Sequence, residues 1–151
     1  MTSLVRRYLK TAIVFLAVGI AIGLWMMERR EVAGAVVSSY VVSAHTHVIL
    51  VGFVMMMILG VALWMFPRPA KGDRVYRAEH AAAAYWLVTS GTAVRVVGEL
   101  LRTTIDSPWL RWIVLTAGVV QALGLLLFFM TMWTRIRPVG SRAREAEGER
   151  F

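Results

Sequence analysis

No cysteine occurs in the 151 residues, which removes disulfides, thiolate metal ligands, c-type haem attachment and cysteine nucleophiles together. Any metal must be held by His, Met, Tyr or carboxylates, and there are only three histidines. Charge is sparse as well, at 17% of residues, and acid is scarcer than base. Nine Asp and Glu against seventeen Lys and Arg give a net charge of +8 and a pI near 11.0. Such basicity would suit nucleic acid, but the basic residues stand between apolar runs instead of forming one basic face. No nucleic-acid partner is expected; the charges read as flanks of membrane segments.

What fills the chain is apolar: 58% of residues are hydrophobic and the mean hydropathy is +0.64, values of the membrane class. Four apolar runs predict helices over about 8–27, 40–66, 80–101 and 109–134. The first follows Arg6, Arg7 and Lys10 as a signal peptide would. It is long for that role, and Leu24 to Glu28 offers no small-residue cleavage site, so it is expected to be retained. Pro67-Arg68-Pro69 stops the second run, and Asp106-Ser107-Pro108 reads as a cap and first-turn proline opening the fourth. Short connections join antiparallel neighbours. The expected fold is therefore an all-α, up-down-up-down four-helix bundle over 1–134, integral to the membrane, with a charged, mobile tail over 135–151.

Basic residues orient the bundle. Arg6, Arg7 and Lys10, the middle loop with Arg68, Lys71, Arg74 and Arg77, and the tail with Arg135, Arg137, Arg142, Arg144 and Arg150 outweigh Arg29, Arg30, Arg102 and Arg111. Both termini are expected in the cytoplasm, in a multi-pass protein of the cell (inner or plasma) membrane. Tryptophans fit this, with Trp25, Trp109 and Trp112 at the outer interface and Trp64 and Trp133 at the inner one.

His45 and His47 then sit near the outer end of the second helix, while His80 opens the third at the cytoplasmic side, too distant to join them. On a helix, positions two apart point about 200° from each other, so one histidine faces the bundle and the other looks elsewhere, toward a second subunit for example. His45 shares a stripe with Ile49, Gly52, Met56 and Gly60, whose glycines leave room for a flat group or a close helix. That makes His45 the first-choice ligand and His47 the second. Equally, His45 can be a plain interhelical hydrogen bonder beside glycines that serve packing. Met55-Met56-Met57 points in three directions and reads as flexible core filling. Arg95 and Glu99 are spaced as an i,i+4 ion pair. Arg95 also lies at the depth of His45, where its fork, with Arg102 or Arg111, suits a haem's carboxylates. Gln121 is expected to bond between helices.

The pattern His45-Thr46-His47-Val48-Ile49-Leu50-Val51-Gly52-Phe53, with Gly60-Val61-Ala62 and the exit Met65-Phe66-Pro67-Arg68, resembles the second helix of haem-copper oxidase subunit I. It is closest to short proteins similar to one part of that subunit. The resemblance implies that His45 is an axial ligand of a low-spin haem near the outer side. The further histidines that a complete subunit uses for copper and a second haem are missing here, so the chain alone is not expected to be a complete oxidase or reductase. The second axial position is left to Met26 or Met27, to His45 or His47 of another subunit, to water, or to nothing.

The expectation is a membrane protein binding haem b for electron transfer or for binding oxygen or nitric oxide, with a respiratory-chain redox partner. Its site residues are His45, Arg95, Gly52, Met56, His47 and Met27. Homo-oligomers are expected through Gly19-xxx-Gly23 and the unfilled axial position. The competing expectation is a cofactor-free accessory or assembly subunit of a respiratory complex; a copper-handling protein using His45, His47 and methionines is a third.

Overall fold

The computed structural model describes residues 3–67, 69, 75–136, 140, 144 and 148. Among these there are four long helices and no strand: α1 (Ser3–Glu31), α2 (Ser39–Met65), α3 (Ala78–Leu101) and α4 (Pro108–Met132), closed by a 3₁₀ turn over Trp133–Arg135. Three segments, Ser3–Glu31, Ser39–Met65 and Pro108–Arg135, are long and apolar enough to cross a membrane. α3 is not among them. Its exposed face nevertheless carries Trp86, Val94 and Val97, while Thr92 and Glu99 are buried beside Tyr85, Val88 and Val96.

α1 outruns its apolar stretch at both ends. Its last turn continues through Arg29 and Arg30, cations that favour a helix C-terminus, before Gly34 turns the chain at φ 61°. The Ser38 side chain accepts from the Tyr40 N–H to cap α2, and the extended Phe66 before Pro67 ends it. Pro108 opens α4 as expected. Ser107, however, makes no side-chain cap; Asp106 is drawn instead to Arg111 at 2.6 Å, whose hydrogen bond and charge hold its carboxyl below the usual carboxylate range.

α2 bridges α1 and α3, and α3 lies along α4. The main core joins Tyr8 of α1, Met56 and Leu59 of α2, Tyr85 and Val88 of α3 and Phe128 of α4. Tyr8 stands edge-on to both Tyr85 and Phe128, and its hydroxyl donates to the Ala81 carbonyl. A smaller core of Ala44, Val48 and Val96 lies nearer the other end.

Two features depart from the sequence expectation. Over Val48–Met55 the second helix widens to π geometry, with the Met56 N–H reaching back five residues to the Val51 carbonyl. No glycine-proline break or polar insertion marks this stretch. Arg135, expected at the head of a mobile tail, is instead buried. Its guanidinium donates to the carbonyls of Leu63, Phe66 and Pro67 and lies over the Tyr76 ring. The last carbonyls of α2 lack helical partners, and a guanidinium fork satisfies them at once. Arg68, Lys71 and Arg74 of the middle loop and Arg137, Arg142 and Arg150 of the tail lie outside the described residues.

Candidate functional site

His45 projects from α2 onto α1. Its Nδ1 lies 3.1 Å from the Gly19 carbonyl oxygen, which can only accept, so Nδ1 carries the hydrogen and donates it. In the neutral imidazole this is the tautomer whose Nε2 bears the lone pair. Gly23 permits this, because a Cβ there would stand 3.0 Å from His45 Cε1. A ring nitrogen anchored to a backbone carbonyl, with the other left bare, is the arrangement that metal-ligating histidines adopt.

His47 faces α3. Its Nδ1 donates to the Ser43 carbonyl at 2.8 Å and stands 3.6 Å from Glu99 Oε2. Glu99, only 4% exposed, takes two hydrogen bonds on Oε1, from the Ser43 hydroxyl at 2.8 Å and from Arg95 Nε at 3.1 Å. Oε2 is sealed from solvent and has no hydrogen bond among the described residues. Arg95 continues toward α4, where Nη1 lies 3.5 Å from Gln121 Oε1, and the Gln121 amide donates to Thr92 Oγ1 at 3.0 Å. One polar chain thus links Ser43, His47, Glu99, Arg95, Gln121 and Thr92 across three helices. Burying charge is tolerable only when it is paired and hydrogen-bonded, and this network supplies both.

Several sequence expectations change here. His45 and Arg95 are not brought together: the first is bonded to α1, the second to Glu99 and Gln121 on the α3–α4 side. His47, expected to look away from the bundle toward another subunit, packs on Glu99. The glycine stripe of α2 does face one way, but its groove is filled by α1. A Cβ on Gly52 would meet Phe15 at 2.7 Å, and one on Gly60 would meet Leu9 at 2.9 Å. Gly19 and Gly23 receive Ile49 and His45 of the same chain, so they are not free for a second copy. Met56 is fully buried in the main core, whereas Met27, one turn beyond Gly23, is 57% exposed. Arg102 donates to the Tyr40 hydroxyl at 2.7 Å and lies over its ring.

Other expectations hold. Arg95 and Glu99 form the i,i+4 pair, and Gln121 bonds between helices. His80 opens α3, nineteen residues before Glu99, a separation of about 28 Å along the helix. Ser43 and Thr92 were not singled out by sequence. Their signal was spacing: Ser43 lies four before His47, and Thr92, Arg95 and Glu99 share one face of α3.

No protein-family model, curated protein or solved structure matches this chain. Among the described residues, no group of three or more His, Asp or Glu is placed to hold a metal ion. A haem needs only one protein nitrogen on its iron, and His45 Nε2 is the atom that could give it. Three cavities among the described residues are lined without His45.

Proposed function

We propose that this chain is an integral-membrane b-type haem protein, related to haem-copper oxidase subunit I, that transfers electrons or binds a small gas. The observation that supports it is the Nδ1–H bond of His45 to the Gly19 carbonyl, which leaves Nε2 free for iron. All four helices cross the bilayer up and down, with both termini in the cytoplasm. Bound haem supplies one-electron or gas-binding chemistry; the protein supplies the ligand and its orientation. Because α1 fills the groove beside His45, a second copy of the chain would help enclose the group, and Met26 or Met27 of this chain, His45 or His47 of that copy, or water would hold it together with His45.

Absorption spectra of protein purified in mild detergent from haem-replete cells test this. A Soret band is expected, lost in His45→Ala and kept in Arg95→Ala, because Arg95 is occupied by Glu99 and Gln121. A colourless wild type, or a band unchanged in His45→Ala, overturns the reading. One observation favours the cofactor-free alternative: the glycines of α2 are consumed by packing against Phe15 and Leu9. That reading expects a colourless protein that co-purifies with an oxidase or reductase.

A further inference from the structure

The hydrogen bond from His45 to Gly19 fixes the imidazole against α1, but the helix that presents the ring is held on its other side. Positions two apart on a helix differ by about 200°, so Ser43 and His47 both point away from His45 and toward α3. There Glu99 Oε1 accepts from the Ser43 hydroxyl at 2.8 Å, and Glu99 Oε2 stands 3.6 Å from His47 Nδ1. Between Ser43 and His47, α2 is therefore gripped by polar contacts on opposite faces, from α1 at His45 and from α3 at Ser43.

Directly after His47 the helix passes into the π segment Val48–Met55. A ladder that reaches back five residues turns through a smaller angle per residue than an α-helix. The lower half of α2 consequently does not dictate where the short α segment Ser39–His47 points. Apolar packing of Ala44 and Val48 on Val96 draws α2 to α3, but such packing has no direction. A hydroxyl on a carboxylate does, through its distance and angle. Glu99 can act as the fixed point because it is itself held: it is buried, and Arg95 Nε donates to the same oxygen at 3.1 Å.

We propose that Glu99 is a positioning residue for His45: through Ser43 it fixes the rotation of the first turns of α2 and so aims the imidazole at the Gly19 carbonyl, with Nε2 bare. For its consequence, though not for its geometry, this rests on the reading of His45 as an iron ligand. The orientation and basicity of an axial imidazole are among the protein's levers on a bound haem. Arg95 steadies Glu99, whereas Gln121 and Thr92 lie beyond Arg95 and take no part in aiming His45.

Nitrogen NMR of isotope-labelled histidine tests this on protein as purified, with the His45 signals assigned by their loss in His45→Ala. Electron paramagnetic resonance of the ferric form is the readout where haem is bound. Wild type is expected to show one ring form, with Nδ1 protonated, or one set of g values. Ser43→Ala removes the grip and leaves a good helix former. It is expected to shift the ratio of Nδ1–H to Nε2–H forms roughly tenfold, or to add a second set of g values. Glu99→Ala does the same, while Glu99→Gln, which keeps an acceptor for Ser43, keeps the wild-type signals. Gln121→Leu cuts the same network beyond Arg95, and is expected to lower the thermal midpoint without changing the His45 signals. Circular dichroism establishes that each variant is folded; if Glu99→Ala is not, Ser43→Ala carries the test. His45 signals unchanged in Ser43→Ala, or disturbed as much by Gln121→Leu, overturn the proposal. A colourless wild type whose ring signals follow the expected pattern sinks the haem reading and supports the positioning role; a Soret band with ring signals indifferent to Ser43 and Glu99 does the reverse.

Discussion

At the scale of single residues, Glu99 is the side chain on which the polar network depends. It is buried, it accepts from Ser43 and Arg95, and it faces His47. Removing it leaves the Arg95 guanidinium without its counter-charge and His47 without its neighbouring carboxylate. For Glu99→Ala a loss of about 3 kcal/mol is expected, the range of a broken buried pair. Glu99→Gln, which keeps an acceptor for both donors, should lose roughly half as much. Reversible unfolding in mixed micelles measures both, and equal losses would mean that the acceptor retained by Gln contributes nothing and the charge everything. The i,i+4 spacing of Arg95 and Glu99 was legible in the sequence. Their partners were not, because Ser43 and Gln121 lie 56 and 26 positions from the residues they bond.

Between elements, two of the glycines of the α3–α4 seam do different things. Gly91 meets backbone atoms of α4 that cannot yield, whereas Gly118 meets the far end of the Arg95 side chain, with Nη1 3.0 Å from the site of a Cβ. Gly91→Ala should destabilise by about 2 kcal/mol, as overpacking does, while Gly118→Ala should cost less than about 0.5 kcal/mol. Thermal unfolding of the two variants side by side checks this, and similar values would mean that the seam is plastic. The glycine stripe of α2 shows the same limit from the sequence side. Its spacing announced a close approach, but a fitting cofactor and a fitting Phe15 look alike until the neighbouring helix is placed. The π segment was illegible altogether, since a run from Val48 to Met55 satisfies α and π hydrogen bonding equally well.

For the whole molecule, the proposed up-and-down crossing of four helices places residues 32–38 and 102–107 on the outer side and residue 77 on the inner. The absence of native cysteine makes this directly testable. In sealed cells, an impermeant maleimide should label Thr104→Cys and Val36→Cys, but label Arg77→Cys only after the membrane is opened. The reverse pattern, or labelling of Thr104→Cys and Val36→Cys from different sides, would overturn the topology. The sequence by itself determined the number of helices and their ends to within about five residues; it read all four as crossing a bilayer, and three are long and apolar enough to do so. These follow from local hydropathy and from proline and capping residues, which act over a few positions. It could not decide which way each helix turns. That choice depends on which neighbours pack, and packing sends His45 to the Gly19 carbonyl, His47 to Glu99, Arg95 away from the proposed haem ligand, and Arg135 to the end of α2.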